Sequence, residues 1–152
     1  MCGRYAASKS PAELIEAYEI DVDASGGQLA ADYNVAPTAT APVVLTRRAR
    51  DPEAMPPVAA PDSPVRQLRA LRWGLVPSWA KDTGTCSRMI NARMEKAAHS
   101  SAFRKPLAAR RCLVPADGWF EWRVTGRPGK YGKPGKQPYF MIRADAVPLA
   151  FA

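Results

Sequence analysis

The chain has 152 residues, 47% of them hydrophobic, enough for one domain with a core, and it carries 22 lysines and arginines against 14 acids, a formal charge of +8. That surplus points to a polyanionic partner, nucleic acid before anionic membrane, with a purely solubilising role as the plain alternative. No apolar run reaches the roughly 18 residues of a membrane span, no secretory signal opens the chain, and three cysteines without CxxC spacing argue against a disulfide framework or a zinc site.

The 15 prolines are about twice the usual share and predict short strands and ordered loops with few long helices. Ser10 to Ile20 reads as the one clear helix. Ser10 caps it, Pro11 suits the first turn, Glu13 holds the capping-box position, and Leu14, Ile15 and Tyr18 share a face. Asp21 to Gly27 is a polar exit. Asn34 to Thr38 is an irregular segment ahead of a strand, Pro42 to Thr46. Arg47 to Pro64, rich in proline and charge, reads as an exposed hairpin tip or surface insertion. Leu68 to Leu75 is a second strand, Pro77 to Thr85 a loop, and Asn91 to Ala98 a short helix.

Two further strands, Arg111 to Val114 and Trp119 to Val124, are joined by a turn over Pro115-Ala116-Asp117-Gly118. Gly126 to Pro138 reads as a low-complexity loop of the variable kind, carrying Arg127, Lys130, Lys133 and Lys136 without an acid. Tyr139 to Arg143 and Val147 to Phe151 complete the strands. The chain stops inside an apolar strand, at Leu149-Ala150-Phe151-Ala152, which reads as the end of a fragment.

Among residues able to carry chemistry, Cys2 stands first. Loss of Met1 leaves an α-amine and a thiol on one residue, with reference pKa values of about 7.7–8.0 and 8.5. Such an aminothiol condenses with aldehydes. The amine forms a Schiff base and the sulfur closes a five-membered thiazolidine, an intramolecular step of high effective molarity. The alternative is an inert cysteine that happens to follow methionine. His99, the only histidine, sits in a polar stretch and reads as solvent-exposed. Glu121 lies in Trp119-Phe120-Glu121-Trp122, where strand alternation puts Trp119 and Glu121 on one face. Aromatic neighbours would desolvate it and suit it to acid–base work. The alternative is an exposed strand glutamate. Trp73 reads as core, whereas Trp79, in a proline-bounded loop beside Lys81, could stack on an unpaired base. The arginines, Arg4 and Arg93 among them, are either phosphate contacts or solvated charges.

Four segments then resemble one family when taken in order: Met1-Cys2-Gly3-Arg4-Tyr5; Asn34-Val35-Ala36-Pro37-Thr38; Arg72-Trp73-Gly74-Leu75-Val76-Pro77-Ser78-Trp79; and Ile90-Asn91-Ala92-Arg93 through Phe103-Arg104 to Arg111-Cys112-Leu113-Val114-Pro115-Ala116-Asp117-Gly118-Trp119-Phe120-Glu121-Trp122. This is the pattern of the SRAP (SOS-response-associated peptidase) family, the abasic-site processing proteins, and it runs through nearly the whole chain. The resemblance implies a single α+β domain over residues 1–152, β-rich, with mixed and antiparallel sheets and short flanking helices, incomplete at its C-terminus. It implies a cytoplasmic or nucleoid-associated monomer that binds abasic sites in single-stranded DNA. Cys2 would link covalently to the ring-opened sugar and shield the lesion, by Schiff-base chemistry of the lyase type with hydrolase activity for self-processing. Asn91 resembles the family's active-site asparagine and Glu121 its glutamate; Arg4, Asn34, Pro37, Trp79 and Arg93 resemble residues of its DNA groove. No metal and no organic cofactor is implied, and no membrane partner.

The chain departs from the pattern in places. The family's distal histidine lies beyond the chain's end, and His99 is in the wrong place to replace it. That predicts weakened folding and slow or absent crosslinking. Lys96 and Ala80 also differ from common family residues. Two rival readings remain open: an N-terminal-nucleophile cysteine peptidase, and a noncovalent module for single-stranded or modified DNA.

Overall fold

The computed structural model describes residues 2–48, 63–145 and 147–152. Among these described residues, three sheets and three short helices make up an α+β fold, as the resemblance implies. The first sheet is antiparallel, in the order β3 (Asp32–Val35), β1 (Tyr5–Ala7), β7 (Gly118–Pro128), β8 (Pro134–Met141). All three residues of β1 are buried, and Tyr5 pairs with Val35 on one side and Trp119 on the other. The N-terminus is therefore stitched into the middle of a sheet, which fixes where Cys2 sits.

The second sheet has the order β2 (Val22–Asp23), β5 (Pro64–Arg72), β4 (Thr40–Arg48). β4 and β5 are antiparallel from Thr40↔Arg72 to Arg48↔Pro64, and β2 runs parallel to β5. Ala41 to Val44 are buried in succession, so β4 has no solvent face through its middle and reads as an unbroken apolar run. The third sheet is the antiparallel pair β6 (Val114–Ala116) and β9 (Leu149–Phe151). A bridge between Val44 and Leu113 ties it to the second. One core cluster gathers Tyr5, Ala7, Val35, Ala41 and Ala116; another gathers Leu14, Ile20, Val44 and Leu68.

The helix α1 spans Pro11–Tyr18 and forms the predicted capping box: Glu13 N donates to Ser10 Oγ, and Ser10 N donates to Glu13 Oε2 at 2.8 Å. It stops two residues early because Glu19 turns left-handed, at φ 49°. The short helix predicted over 91–98 is α2 (Met94–Ala97), and a further helix, α3 (Arg104–Ala109), was not predicted. Among the described residues, no helix is long and apolar enough to cross a membrane. The expected tip over Arg47 to Pro64 lies between β4 and β5, but residues 49–62 are outside the described residues.

Several boundaries differ from the sequence reading. β5 ends at Arg72, before Trp73, because Gly74 takes φ +118° and turns the chain away. The loop after Pro77 contains a 3₁₀ turn over Thr83–Arg88, capped by Asp82. Arg111 to Val114 contributes only Val114 to a strand. Pro115 and Ala116, expected in a turn, lie in β6, and β6 pairs with β9, not with the following strand. The expected loop over Gly126 to Pro138 is instead the outer half of the β7–β8 hairpin.

Candidate functional site

The chain enters β1 alongside β7, with Phe120 N donating to Arg4 O at 2.9 Å. Half-buried Cys2 packs against the first core cluster, and its thiol donates to Arg4 O at 3.0 Å. Asn91, 89 residues further on, reaches back: its Nδ2 donates to the Cys2 carbonyl at 2.6 Å. Arg4 Nη1 donates to Asn34 Oδ1 at 3.0 Å, joining β1 to its neighbour β3.

Trp73 brings these segments together. Its indole N–H donates to Ile90 O at 2.8 Å, and Leu75 N donates to Met89 O, so the residues just before Asn91 are pinned. Its ring meets Tyr5 edge-on, with centroids 5.2 Å apart. Its backbone bonds to Ala39 O and Thr38 N, which seats the turn carrying half-buried Pro37. Trp73 was expected in the core; it is also the post on which Asn91 hangs.

Glu121 is half-buried, two residues beyond Trp119 on the same face of β7, and its carboxylate acts on Cys2. Burial pushes the Cys2 thiol above its usual value, and the charge of Glu121 pushes the same way. Little thiolate is therefore present at neutral pH. Glu121→Gln removes the electrostatic part and leaves the burial. Alkylation of Cys2 by iodoacetamide at pH 8, followed by peptide mass spectrometry, should speed up in that variant by less than about tenfold. An unchanged or slower rate would separate Glu121 from Cys2.

The structure thus gathers Cys2, Arg4, Asn34, Asn91 and Glu121. Trp79 and Arg93 have no hydrogen bond to, or ring contact with, Cys2, Arg4, Asn34 or Asn91 among the described residues. Trp79 is 60% exposed in the turn after buried Pro77, and exposed Arg93, two residues past Asn91, starts α2 with its backbone carbonyl accepting from Lys96 N and Ala97 N. His99 is exposed, as expected.

One residue of the site escaped the sequence reading. Tyr5 is 2% exposed, held between Trp73 and Phe151, and its hydroxyl has no hydrogen-bond partner among the described residues. A three-residue strand is too short for alternation to mark its inward face. Burial, then the neighbouring Cys2 and Asp32, push the Tyr5 hydroxyl far above its usual value. A raised folded-state pKa gives stability that is complete below the unfolded value of about 10 and is lost as pH rises beyond it, by about 1.4 kcal/mol per unit. Tyr5→Phe should make alkaline denaturation shallower, with the slope from Tyr18, also raised by burial, remaining. At pH 7 the variant should be as stable as the parent or more so, since it deletes an unpartnered buried hydroxyl. Urea titrations at pH 7 and pH 11 test both expectations.

Over residues 1–152 the chain matches the family described as SOS response associated peptidase (SRAP). It is 36% identical over 123 residues to the abasic site processing protein YoqW of Bacillus subtilis, covering 81% of this chain and 48% of that protein. It is 34% identical over 155 residues to the abasic site processing protein HMCES of Gallus gallus, covering 93% of this chain and 42% of that one. The chain spans about half the length of the curated relatives it matches. A phage-related protein of Bordetella bronchiseptica superposes with a TM-score of 0.63 at 27% identity, over 99% of this chain and 58% of that one. A protein of Bacteroides thetaiotaomicron shares the fold, with a TM-score of 0.69 at 21% identity over 98% and 57% of the two chains.

Proposed function

The chain belongs to the SRAP family, and from that membership we propose that it processes abasic sites in DNA, capturing them covalently through Cys2 in single-stranded regions. Residues 1–152 act as part of a single domain. The observation that carries this reading is the convergence of Asn91 and Glu121 on a cysteine at position 2.

Loss of Met1 frees the Cys2 α-amine. The amine adds to the aldehyde carbon of the ring-opened sugar and, with departure of one water, becomes an imine. The Cys2 sulfur then adds to the same carbon, its proton passes to the nitrogen, and the thiazolidine closes. One N–C and one S–C bond form, and no oxidant or reductant is consumed. The bond from Asn91 to the Cys2 carbonyl fixes the backbone from which both nucleophiles project, which supplies the proximity the ring closure needs. Glu121 is the group to move protons as the sugar opens and the imine forms. Arg4, Asn34, Pro37, Trp79 and Arg93 line the DNA path. Exposed Trp79 is free to stack on a base, and Arg4, held by Asn34, presents its charge at a fixed place.

The test is to mix Met1-free protein with a single-stranded oligonucleotide bearing one abasic site and run a denaturing gel. The expected band has the mass of the two components less one water, and protein retaining Met1 gives none. A complex seen only under native conditions, and lost in high salt, would replace covalent capture with a noncovalent reader. The family's description as a peptidase favours a second reading, in which Cys2 assists release of its own Met1. Persistence of Met1 in Cys2→Ser but not in the parent, in a host lacking methionine aminopeptidase, would support it.

A further inference from the structure

Beyond the site, β7 and β8 continue as a two-stranded arm. After Glu121↔Tyr139 the pairs are Trp122↔Pro138, Arg123↔Gln137 and Val124↔Lys136, and pairing resumes at Pro128↔Pro134. The arm is built rather than slack. Gly129 N donates to Lys133 O at 2.8 Å, and the strands approach so closely that a Cβ at Gly135 would lie 2.9 Å from Arg127 O. Glycine is needed there for the approach itself.

Between residues 122 and 138 the sequence has five cations, Arg123, Arg127, Lys130, Lys133 and Lys136, and no acid. More than half of the chain's net charge is thus carried on this one projection. At its apex Tyr131 is 95% exposed and left-handed, at φ 57°. A ring so exposed contributes nothing to the core, and the left-handed backbone is unfavourable for it. The strand rise from Glu121 to Pro128 puts the start of this turn roughly 23 Å from Glu121.

We propose that the arm is a second nucleic-acid contact, its cations following the phosphates of a single strand and Tyr131 stacking on an unpaired base. Charge complementarity selects the partner: phosphates at regular spacing match a row of cations, and a lone exposed aromatic is the residue type on which an unpaired base stacks. The inference rests on the reading of Cys2 as acting on single-stranded DNA, and it explains how the chain could hold the strand well away from the lesion.

The test uses the full chain and two variants confined to the exposed arm, the triple substitution R127Q/K133Q/K136Q and, separately, Tyr131→Asn, which tolerates the left-handed backbone. Fluorescence anisotropy would measure binding to a labelled, undamaged single-stranded oligonucleotide longer than the arm. The triple variant should bind at least about tenfold more weakly near 0.1 M salt, and its slope of log K against log salt should be shallower by about 2, near 0.7 for each lost contact. Tyr131→Asn should lose about fivefold or more with the slope unchanged. Variants that bind as the parent does, while the parent binds and crosslinks, would overturn the arm alone. So would a triple variant that loses adsorption to phosphatidylserine vesicles but keeps its DNA affinity. A parent that neither binds nor crosslinks would overturn the arm and the proposed function together.

Discussion

If the proposed function holds, replacing Cys2 by alanine should abolish the denaturant-resistant adduct with abasic-site DNA, yet leave a product that borohydride can trap. The substitution keeps the α-amine, so the imine still forms and can be reduced to a stable amine. It removes the sulfur, so nothing closes onto the imine carbon, and water reverses the linkage. The loss without borohydride should be complete on the gel, because ring closure is intramolecular and no exposed thiol elsewhere shares that geometry. Cys86 is buried, and half-buried Cys112 is an internal residue with no α-amine of its own to form the ring. An adduct in Cys2→Ala as resistant as the parent's would assign the linkage to another residue. Absence of even the borohydride product would mean that the amine at position 2 is not the nucleophile.

Gly74→Ala should unfold at a temperature lower by roughly 10 °C and, on the proposed function, slow crosslinking in whatever remains folded. A Cβ at this position would lie 2.5 Å from Cys86 O and 3.0 Å from Cys86 Cβ, and Cys86 is fully buried, so the neighbour has nowhere to go. The φ of +118° is itself a conformation that only glycine adopts easily. Backbone strain of about 1–3 kcal/mol and overpacking of about 1–3 kcal/mol combine to several kcal/mol, and each kcal/mol is worth about 2–4 °C in a domain of this size. Gly26→Ala is the control. Its φ of +66° is also left-handed, but no atom lies within 4 Å of the added carbon, so only about 1–2 kcal/mol is expected. Thermal melts followed by circular dichroism would compare the two, and equal losses would refute the steric argument. The functional effect follows because Gly74 sits between Trp73 and Leu75, whose bonds to Ile90 and Met89 hold Asn91 against Cys2.

The comparison of pattern with structure is uneven for physical reasons. The Ser10–Glu13 capping box was legible because a cap is a contact between residues three apart. The β7–β8 hairpin was not, because four glycines and three prolines between Gly126 and Pro138 carry the composition of a loop. Cross-strand hydrogen bonds and the close packing that glycine permits overrode that local preference. The pairing of β6 with β9 was invisible for a related reason: strand partners 35 residues apart in the chain leave no local trace.

The sequence by itself determined the chemistry available to this protein: a cysteine next to the initiator, a glutamate between aromatics, a surplus of cations, and four segments whose order resembles one family. Those properties belong to residue types and spacing. Only the tertiary structure decided that Asn91, 89 residues away, bonds to the Cys2 carbonyl, that Trp73 is the post holding it there, and that Tyr5 buries an unpartnered hydroxyl beside the thiol. It also turned the basic loop into a paired two-stranded arm. These are long-range contacts, set by how the sheets pack around β1, and no window of sequence contains both partners.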